Sequence, residues 1–216
     1  MGGAVSSSPL SGKTVYFPAM SEAGVRVIAA AFRSVGIDAK SMPPSDEETM
    51  VLGGRHSSGE ECLPLKVTLG DALKRLVHGG IKADRMAIFR PTPDGPCRFG
   101  QYGPYIRGVL KEMGFDGVTV VSPTCEDGYS GVGEHADELL RTAWRAMIAG
   151  ELLTKLLLRT RPYELEKGAA DAAYLAALSD LWATVESRGK NPKERMGRLK
   201  ESLVRGRRML RDVPAD

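Results

Sequence analysis

Three cysteines are the residues of this chain best suited to chemistry, and they stand far apart, at positions 62, 97 and 125. A thiolate is both a nucleophile and a soft metal ligand. The readings open to it are therefore a disulfide, a metal or cluster site, or a buried thiol packed as a small apolar side chain. An odd count in a chain of 216 residues argues against a disulfide scaffold. Cys97 lies in Asp94-Gly95-Pro96-Cys97-Arg98-Phe99-Gly100, with glycine on both sides. Glycine lets backbone approach a bulky ligand, and the N–H groups of such a loop can hydrogen-bond cluster sulfurs. Arg98 would offset the negative charge of a thiolate-ligated group. The same segment also reads as a tight turn around a buried thiol. Zinc is the chemical rival, since Cys62, Cys97, Cys125 and His56 make a legal ligand set. Structural zinc sites usually draw paired ligands about two to four residues apart, and no such pair occurs here. Separated single cysteines suit a cluster held between loops. His78 and His135 read as helix-surface residues.

These thiols need elements to position them. Residues 13–20 read as a first strand. Ser21 and Glu22 then open a helix with Val25, Ile28, Ala29 and Phe32 on one face, closed by Gly36. Residues 37–42 form a weak second strand. Residues 43–61 are polar and glycine-rich, a loop with at most a helical turn near 46–52. A helix follows from about Leu65 to His78, with Val67, Leu69, Leu73, Leu76 and Val77 apolar. Residues 85–91 and 118–124 are nearly continuous apolar runs of the buried-parallel-strand type, with a helix over 101–114 between them. Alternating strand and helix predicts an α/β fold: a Rossmann-like parallel sheet with helices on both faces and right-handed crossovers. In such sheets the loops at the strands' carboxyl ends share one edge, where ligands bind. Cys97 and Cys125 each follow a strand, and Cys62 precedes a helix start, whose dipole favours a thiolate.

The character changes after Gly133. A long helical pattern puts Leu139, Ala143, Trp144, Met147, Ile148 and Leu152 on one side and ends at Pro162. A second helix covers 169–187, and a third opens with an Asn191 cap, Pro192 and Glu194. The expected organisation is a loose tail over 1–12, a Rossmann-like cluster-binding core over 13–130, and C-terminal helices over 131–216. Hydrophobic residues make up 42% and charged residues 26%, ordinary for a globular domain with a sizeable core. No apolar run approaches the ~18 residues of a membrane span. The start of the chain lacks the pattern of a signal peptide, so the cytoplasm is expected.

Several segments carry the look of a known family. Glu61-Cys62-Leu63-Pro64-Leu65-Lys66 is followed by Thr68-Leu69-Gly70-Asp71. Pro91-Thr92 precedes Gly95-Pro96-Cys97-Arg98-Phe99-Gly100-Gln101-Tyr102. Glu126-Asp127-Gly128-Tyr129, Arg161-Pro162-Tyr163-Glu164 and Lys167-Gly168 complete the set. In this order they resemble the large acyl-CoA dehydratase activase-related proteins, in the portion similar to 2-hydroxyacyl-CoA dehydratase subunits and double-cubane cluster proteins. The likeness covers most of residues 13–180. It implies cysteine-ligated iron–sulfur chemistry, of the [4Fe-4S] or double-cubane type, and low-potential electron transfer. It further implies a separate ATP-dependent activase of the sugar kinase/Hsp70/actin type as partner, with a related cluster-bearing subunit and an oligomer as further expectations. In the related dehydratases three cysteines hold a [4Fe-4S] cluster and leave one iron open to substrate. Cys62 and Cys97 sit in the matching motifs, and Cys125 is the candidate third ligand.

The chain itself carries no recognisable ATPase. Ser11-Gly12-Lys13-Thr14 is like the end of a phosphate-binding loop, but Ser7 stands at the required first glycine and the segment precedes a strand. Gly131-Val132-Gly133 lacks a third glycine at the right spacing. Glu60, Glu61, Glu126 and Asp127 are either proton donors near an open iron or loop carboxylates. Tyr102 and Tyr129 are either substrate contacts or packing residues. From Arg188 to Arg211 ten Lys or Arg stand against two Glu, a charge of +8, so the remainder of the +3 chain carries −5. This basic helix, with Met196, Leu199, Leu203 and Leu210 as a narrow apolar stripe, is a solvated domain-closing helix or a docking face. No aromatic side chains interleave its charges, so single-stranded nucleic acid is not an expected partner. Besides the redox protein, two functions stay open: a non-catalytic subunit that kept the fold, and a zinc-stabilised structural domain.

Overall fold

The computed structural model describes residues 10–93, 95–124, 136–187, 189 and 191–216. The chain divides into two compact units, one of Met1–Ala19 and Ile37–Asp137, the other of Met20–Gly36 and Glu138–Asp216.

The first unit is built on four strands: β1 (Thr14–Phe17), β2 (Ala39–Ser41), β3 (Met86–Phe89) and β4 (Thr119–Val121). They lie in the order β2-β1-β3-β4 and every pair is parallel. Val15 sits level with Ala39 on one side and Ala87 on the other, and Ile88 is level with Val120. Val15, Met86, Ala87 and Ile88 are fully buried, which is why their runs lack the polar alternation of a half-exposed strand. The chain steps outward from β1 to β2 and then back across to β3. Loops leaving the carboxyl ends diverge at such a reversal and open a crevice beyond the sheet. Helices α2 (Glu47–Arg55), α3 (Leu63–Val77) and α4 (Tyr102–Glu112) complete this α/β unit. Leu69 and Leu73 of α3, Ile106 of α4, and Met86 and Ile88 of β3 share one core cluster and are fully buried.

Helix α2 is longer than the helical turn that the sequence allows near 46–52 within a loop-like stretch. Asp46 caps it, accepting a hydrogen bond from the Thr49 N–H, while Thr49 Oγ1 accepts one from the Asp46 N–H. This is a capping box with Thr in place of the usual Glu or Gln, followed by two glycines that weaken the helical pattern. One of those glycines has a packing reason. A Cβ on Gly53 would lie 1.9 Å from the Lys66 carbonyl oxygen, and one on Gly70 would lie 1.9 Å from that of Thr49. Helices α2 and α3 therefore touch backbone to backbone.

The Lys74 ammonium bonds the Asp46 carboxylate, and with the Thr49 N–H it lowers the Asp46 pKa from 3.8 to about 2. A folded-state pKa below the unfolded one adds stability above the unfolded value and loses it as pH falls toward the folded value. Acid should therefore weaken the protein between pH 3.8 and about 2 through this group. Asp46→Asn is expected to flatten that part of a curve of urea midpoint against pH and to leave its neutral slope unchanged.

Lys13 closes the opposite, amino end of the sheet. Its Nζ donates to the carbonyls of Asp84 (2.8 Å) and Gly117 (2.7 Å). The lysine of the Ser-Gly-Lys-Thr segment is thus a clamp between the approaches to β3 and β4.

The second unit holds α1 (Glu22–Ser34), α5 (Ala136–Thr160), α6 (Ala169–Glu186) and α7 (Pro192–Arg211). Helix α1 belongs to it although α1 lies between β1 and β2 in sequence, a grouping that the linear division into 13–130 and 131–216 does not contain. Helix α1 packs on α6, and α6 on α7. Gly206 of α7 meets Leu153 of α5 and Ala177 of α6. Asp180 accepts from Ser202 Oγ at 2.7 Å and forms an ion pair with Arg205 at 2.9 Å, so part of the basic helix is committed to its own unit.

The inward face of α5 differs from the expected one. Leu139, Ala143, Ala146, Ala149, Gly150, Leu153 and Leu157 are buried. Trp144, Ile148 and Leu152 are 64%, 50% and 47% exposed. A helix apolar on two sides gives no sequence vote for the side that turns inward. The small residues decide it, because Gly150 lets α5 approach Ala23 of α1, where an added Cβ would lie 3.2 Å from that methyl. Among the described residues no helix is long and apolar enough to cross a membrane.

Candidate functional site

Cys62 is the N-cap residue of α3, in extended conformation and followed by Pro64 in the first turn. Proline suits that turn because its missing N–H would have no helical partner there. Cys62 is half-buried against the core of the first unit, and its Sγ is hydrogen-bonded to the Tyr102 hydroxyl. Its side chain makes no capping hydrogen bond to this 15-residue helix, so the sulfur is left to Tyr102.

Cys97 arrives from the sheet. The β3–β4 ladder continues past both strands, with the Arg90 N–H donating to the Val121 carbonyl and the Thr92 N–H to that of Pro123, each at 2.8 Å. Thr92 and Thr124 pair as a parallel bridge, bringing the described residue before Cys125 level with the residue that leads into the Cys97 loop. Gly95 then takes φ +120°, a backbone state that side chains resist, and the chain turns toward Cys97. Cys97 is exposed and begins the short turn Arg98–Gln101, which runs straight into α4.

Three contacts fasten the two cysteine segments together. Arg98 Nη1 donates to the Glu60 carbonyl at 3.0 Å. Tyr102 reaches from α4 to Cys62. Tyr105, one turn on, presents its hydroxyl to Glu61 Oε1 at 2.9 Å and to the His56 carbonyl at 3.1 Å. Burial, the Cys62 hydrogen bond and the charge of both cysteines push the Tyr102 pKa up to about 12, against a smaller pull from Arg90. Tyr102 is therefore a neutral phenol in hydrogen-bond contact with the Cys62 sulfur. It is only 4% exposed and belongs to the core as well.

Glu61 also accepts from the Ser58 N–H and hydroxyl and the Gly59 N–H. The Ser58 N–H is the main reason its pKa falls from 4.5 to about 2. It is an ionised clamp of its own loop, not a proton donor at neutral pH. Glu60 contributes its carbonyl to the Arg98 contact. Cys125, Glu126, Asp127, Tyr129 and the Gly131-Val132-Gly133 segment lie outside the described residues.

One residue of the site was missed in the sequence. Arg90 ends the apolar run of β3, and only 2% of it is exposed. Its guanidinium carbon lies 4.7 Å from the Phe99 ring centre and 4.8 Å from that of Tyr102. The rings themselves meet edge to face, 5.1 Å apart. Burial lowers the Arg90 pKa to about 10, still far above neutrality, so the group is a buried cation. A charge at the carboxyl end of an otherwise apolar strand was the available signal.

The arrangement offers two thiols, a phenol donor and a buried cation at one rim. These suit a soft, negatively charged group: thiolates bind iron or zinc, and N–H and O–H donors stabilise sulfur-rich anions. Among the described residues, no three or more His, Cys, Asp or Glu gather as a metal site. Comparison with protein-family models, curated proteins and solved structures returned no match.

Proposed function

We propose that this chain is a Rossmann-like, cysteine-ligated iron–sulfur protein that takes low-potential electrons from a separate ATP-dependent activase and passes them to a small or CoA-linked substrate. The observation that supports it most is the fastening of the two cysteine segments: Tyr102 bonds the Cys62 sulfur, and Arg98, next to Cys97, bonds the Glu60 carbonyl. The two cysteines stand 35 positions apart, and each is at the start of a helical segment. The likeness of their flanking motifs to activase-related proteins supports the same reading.

Cys62 and Cys97 would hold the cluster, with Cys125 as third ligand. Two or three thiolates leave a cubane unsaturated, so an open iron, a non-cysteine ligand or a second chain completes it. When bound, such a cluster supplies one-electron chemistry at low potential. The work of the chain's own residues is separate from that. Tyr102 holds the Cys62 sulfur by a hydrogen bond. Arg98 and Tyr105 hold the two cysteine segments at a constant separation.

Anaerobic purification followed by reconstitution with iron and sulfide tests the reading. The expected product is brown, carries iron and acid-labile sulfide in matching amounts, and loses its broad visible absorption with dithionite. A colourless, iron-free chain after reconstitution overturns the proposal. Stoichiometric zinc in its place assigns the site to a structural role.

A further inference from the structure

Arg90 is the charge that a cluster held by cysteines leaves unexplained. The β3–β4 ladder fixes its backbone, since its N–H donates to the Val121 carbonyl. The Phe99 and Tyr102 rings lie together on one side of it, at 4.7 and 4.8 Å from the guanidinium carbon. Aromatic faces attract a guanidinium but offer no acceptor to N–H groups lying in its plane. Two buried nitrogens, Nε and Nη2, have no hydrogen-bond partner. Native proteins rarely leave buried charged donors in that state, because the lost hydration is not replaced. The identity of the two atoms is informative. Nε–H and Nη2–H run parallel from one edge of the guanidinium, and that edge matches two oxygens of a carboxylate or a phosphate.

We propose that this edge of Arg90 receives an oxyanion, a carboxylate or phosphate carried by a small-molecule ligand bound beside Cys62 and Cys97. The location follows from the residues around the guanidinium: Phe99 is two residues past Cys97, and Tyr102 bonds Cys62. The Glu61 carboxylate, next to Cys62 in sequence, is already taken by Ser58, Gly59 and Tyr105. The oxyanion names the ligand class for the same rim, and it rests on the cluster reading only in making that ligand the cluster's neighbour.

The test uses the full chain, kept anaerobic and free of iron. It is titrated with sodium acetate and separately with inorganic phosphate, each against sodium chloride at equal ionic strength. The readouts are the thermal midpoint and the Arg90 Nε–H resonance. The expected result is a saturable rise in midpoint with acetate or phosphate that chloride does not reproduce, together with a downfield shift of Nε–H. The stronger of the two anions names the source of the oxyanion. Arg90→Lys keeps the charge and loses the fork, so it should weaken binding by about tenfold or more. Equal binding by Arg90→Lys overturns the proposal, as does a response no larger than that to chloride. A Nε–H already hydrogen-bonded without added anion and unmoved by either also overturns it. If Arg90→Lys fails to fold, the resonance of the unsubstituted chain decides. Iron content is measured on parallel reconstituted samples. An iron-loaded chain without the anion response sinks the oxyanion site alone, and the reverse result sinks the cluster alone.

Discussion

Gly70→Ala is expected to destabilise the protein by about 3 kcal/mol, the upper part of the range for forcing extra volume into a packed contact. The new methyl would stand 1.9 Å from the Thr49 carbonyl oxygen and 2.8 Å from its carbon. Both are backbone atoms of α2 and cannot swing aside as a side-chain tip would. Relief requires α2 and α3 to separate, which exposes Thr49, now fully buried, and breaks its hydroxyl bond to Asp71 (3.1 Å). Asp71 is itself buried, and burial raises its pKa against the hydrogen bonds of Ser45 and Thr49. Losing one of them leaves a carboxyl with fewer partners in an apolar setting. Gly53→Ala meets the Lys66 carbonyl at the same 1.9 Å and should behave alike. Gly54→Ala is the control: nothing lies within 4 Å of its added Cβ, so it should gain up to about 1 kcal/mol of helix propensity. Urea unfolding of the three variants measures the differences. Equal midpoints for Gly70→Ala and Gly54→Ala would contradict the close helix contact.

Cys97→Ser should reduce iron bound after anaerobic reconstitution by at least about tenfold while leaving the fold intact. A serine hydroxyl stays protonated where a thiol ionises, so it does not replace a thiolate at iron. Cys97 is exposed and not part of the core, so its thermal midpoint should hold. Cys62→Ser should lose iron similarly, and its hydroxyl can still bond Tyr102. It replaces a half-buried sulfur packed on the core, so a loss of about 1 kcal/mol is expected beside the loss of iron. The pair of variants separates ligation from folding: iron falls in both, stability in one. A full cluster in Cys97→Ser would refute the ligand assignment. Cys125→Ser reports whether the third thiol takes part.

The ease of reading differed from element to element. β3 was legible because a strand buried on both faces must be apolar throughout, and β4, an edge strand only partly buried, because its Thr-Val-Val run is β-branched. α7 was legible because Asn191, Pro192 and Glu194 carry capping chemistry that needs no distant partner. α2 was not, since Thr49 substitutes for the usual capping-box residue and Gly53 answers to a contact with α3. Trp144, Ile148 and Leu152 looked like an inward stripe, but the alanine and glycine seam of α5 allows closer approach and won.

The same division runs through the cysteine site. By itself the sequence determined that the chain alternates strand and helix, that Cys97 follows a strand in a glycine-flanked loop, and that Cys62 precedes a helix. Each follows from residue type and spacing over a few positions. Only the tertiary structure decided that Tyr102 of α4 meets Cys62 of α3, that Arg98 ties the Cys97 turn to Glu60, and that Arg90 is buried against two rings with one edge unpartnered. Those facts depend on helices and strands that lie dozens of residues apart in sequence and become neighbours only when the parallel sheet brings its carboxyl ends to one rim.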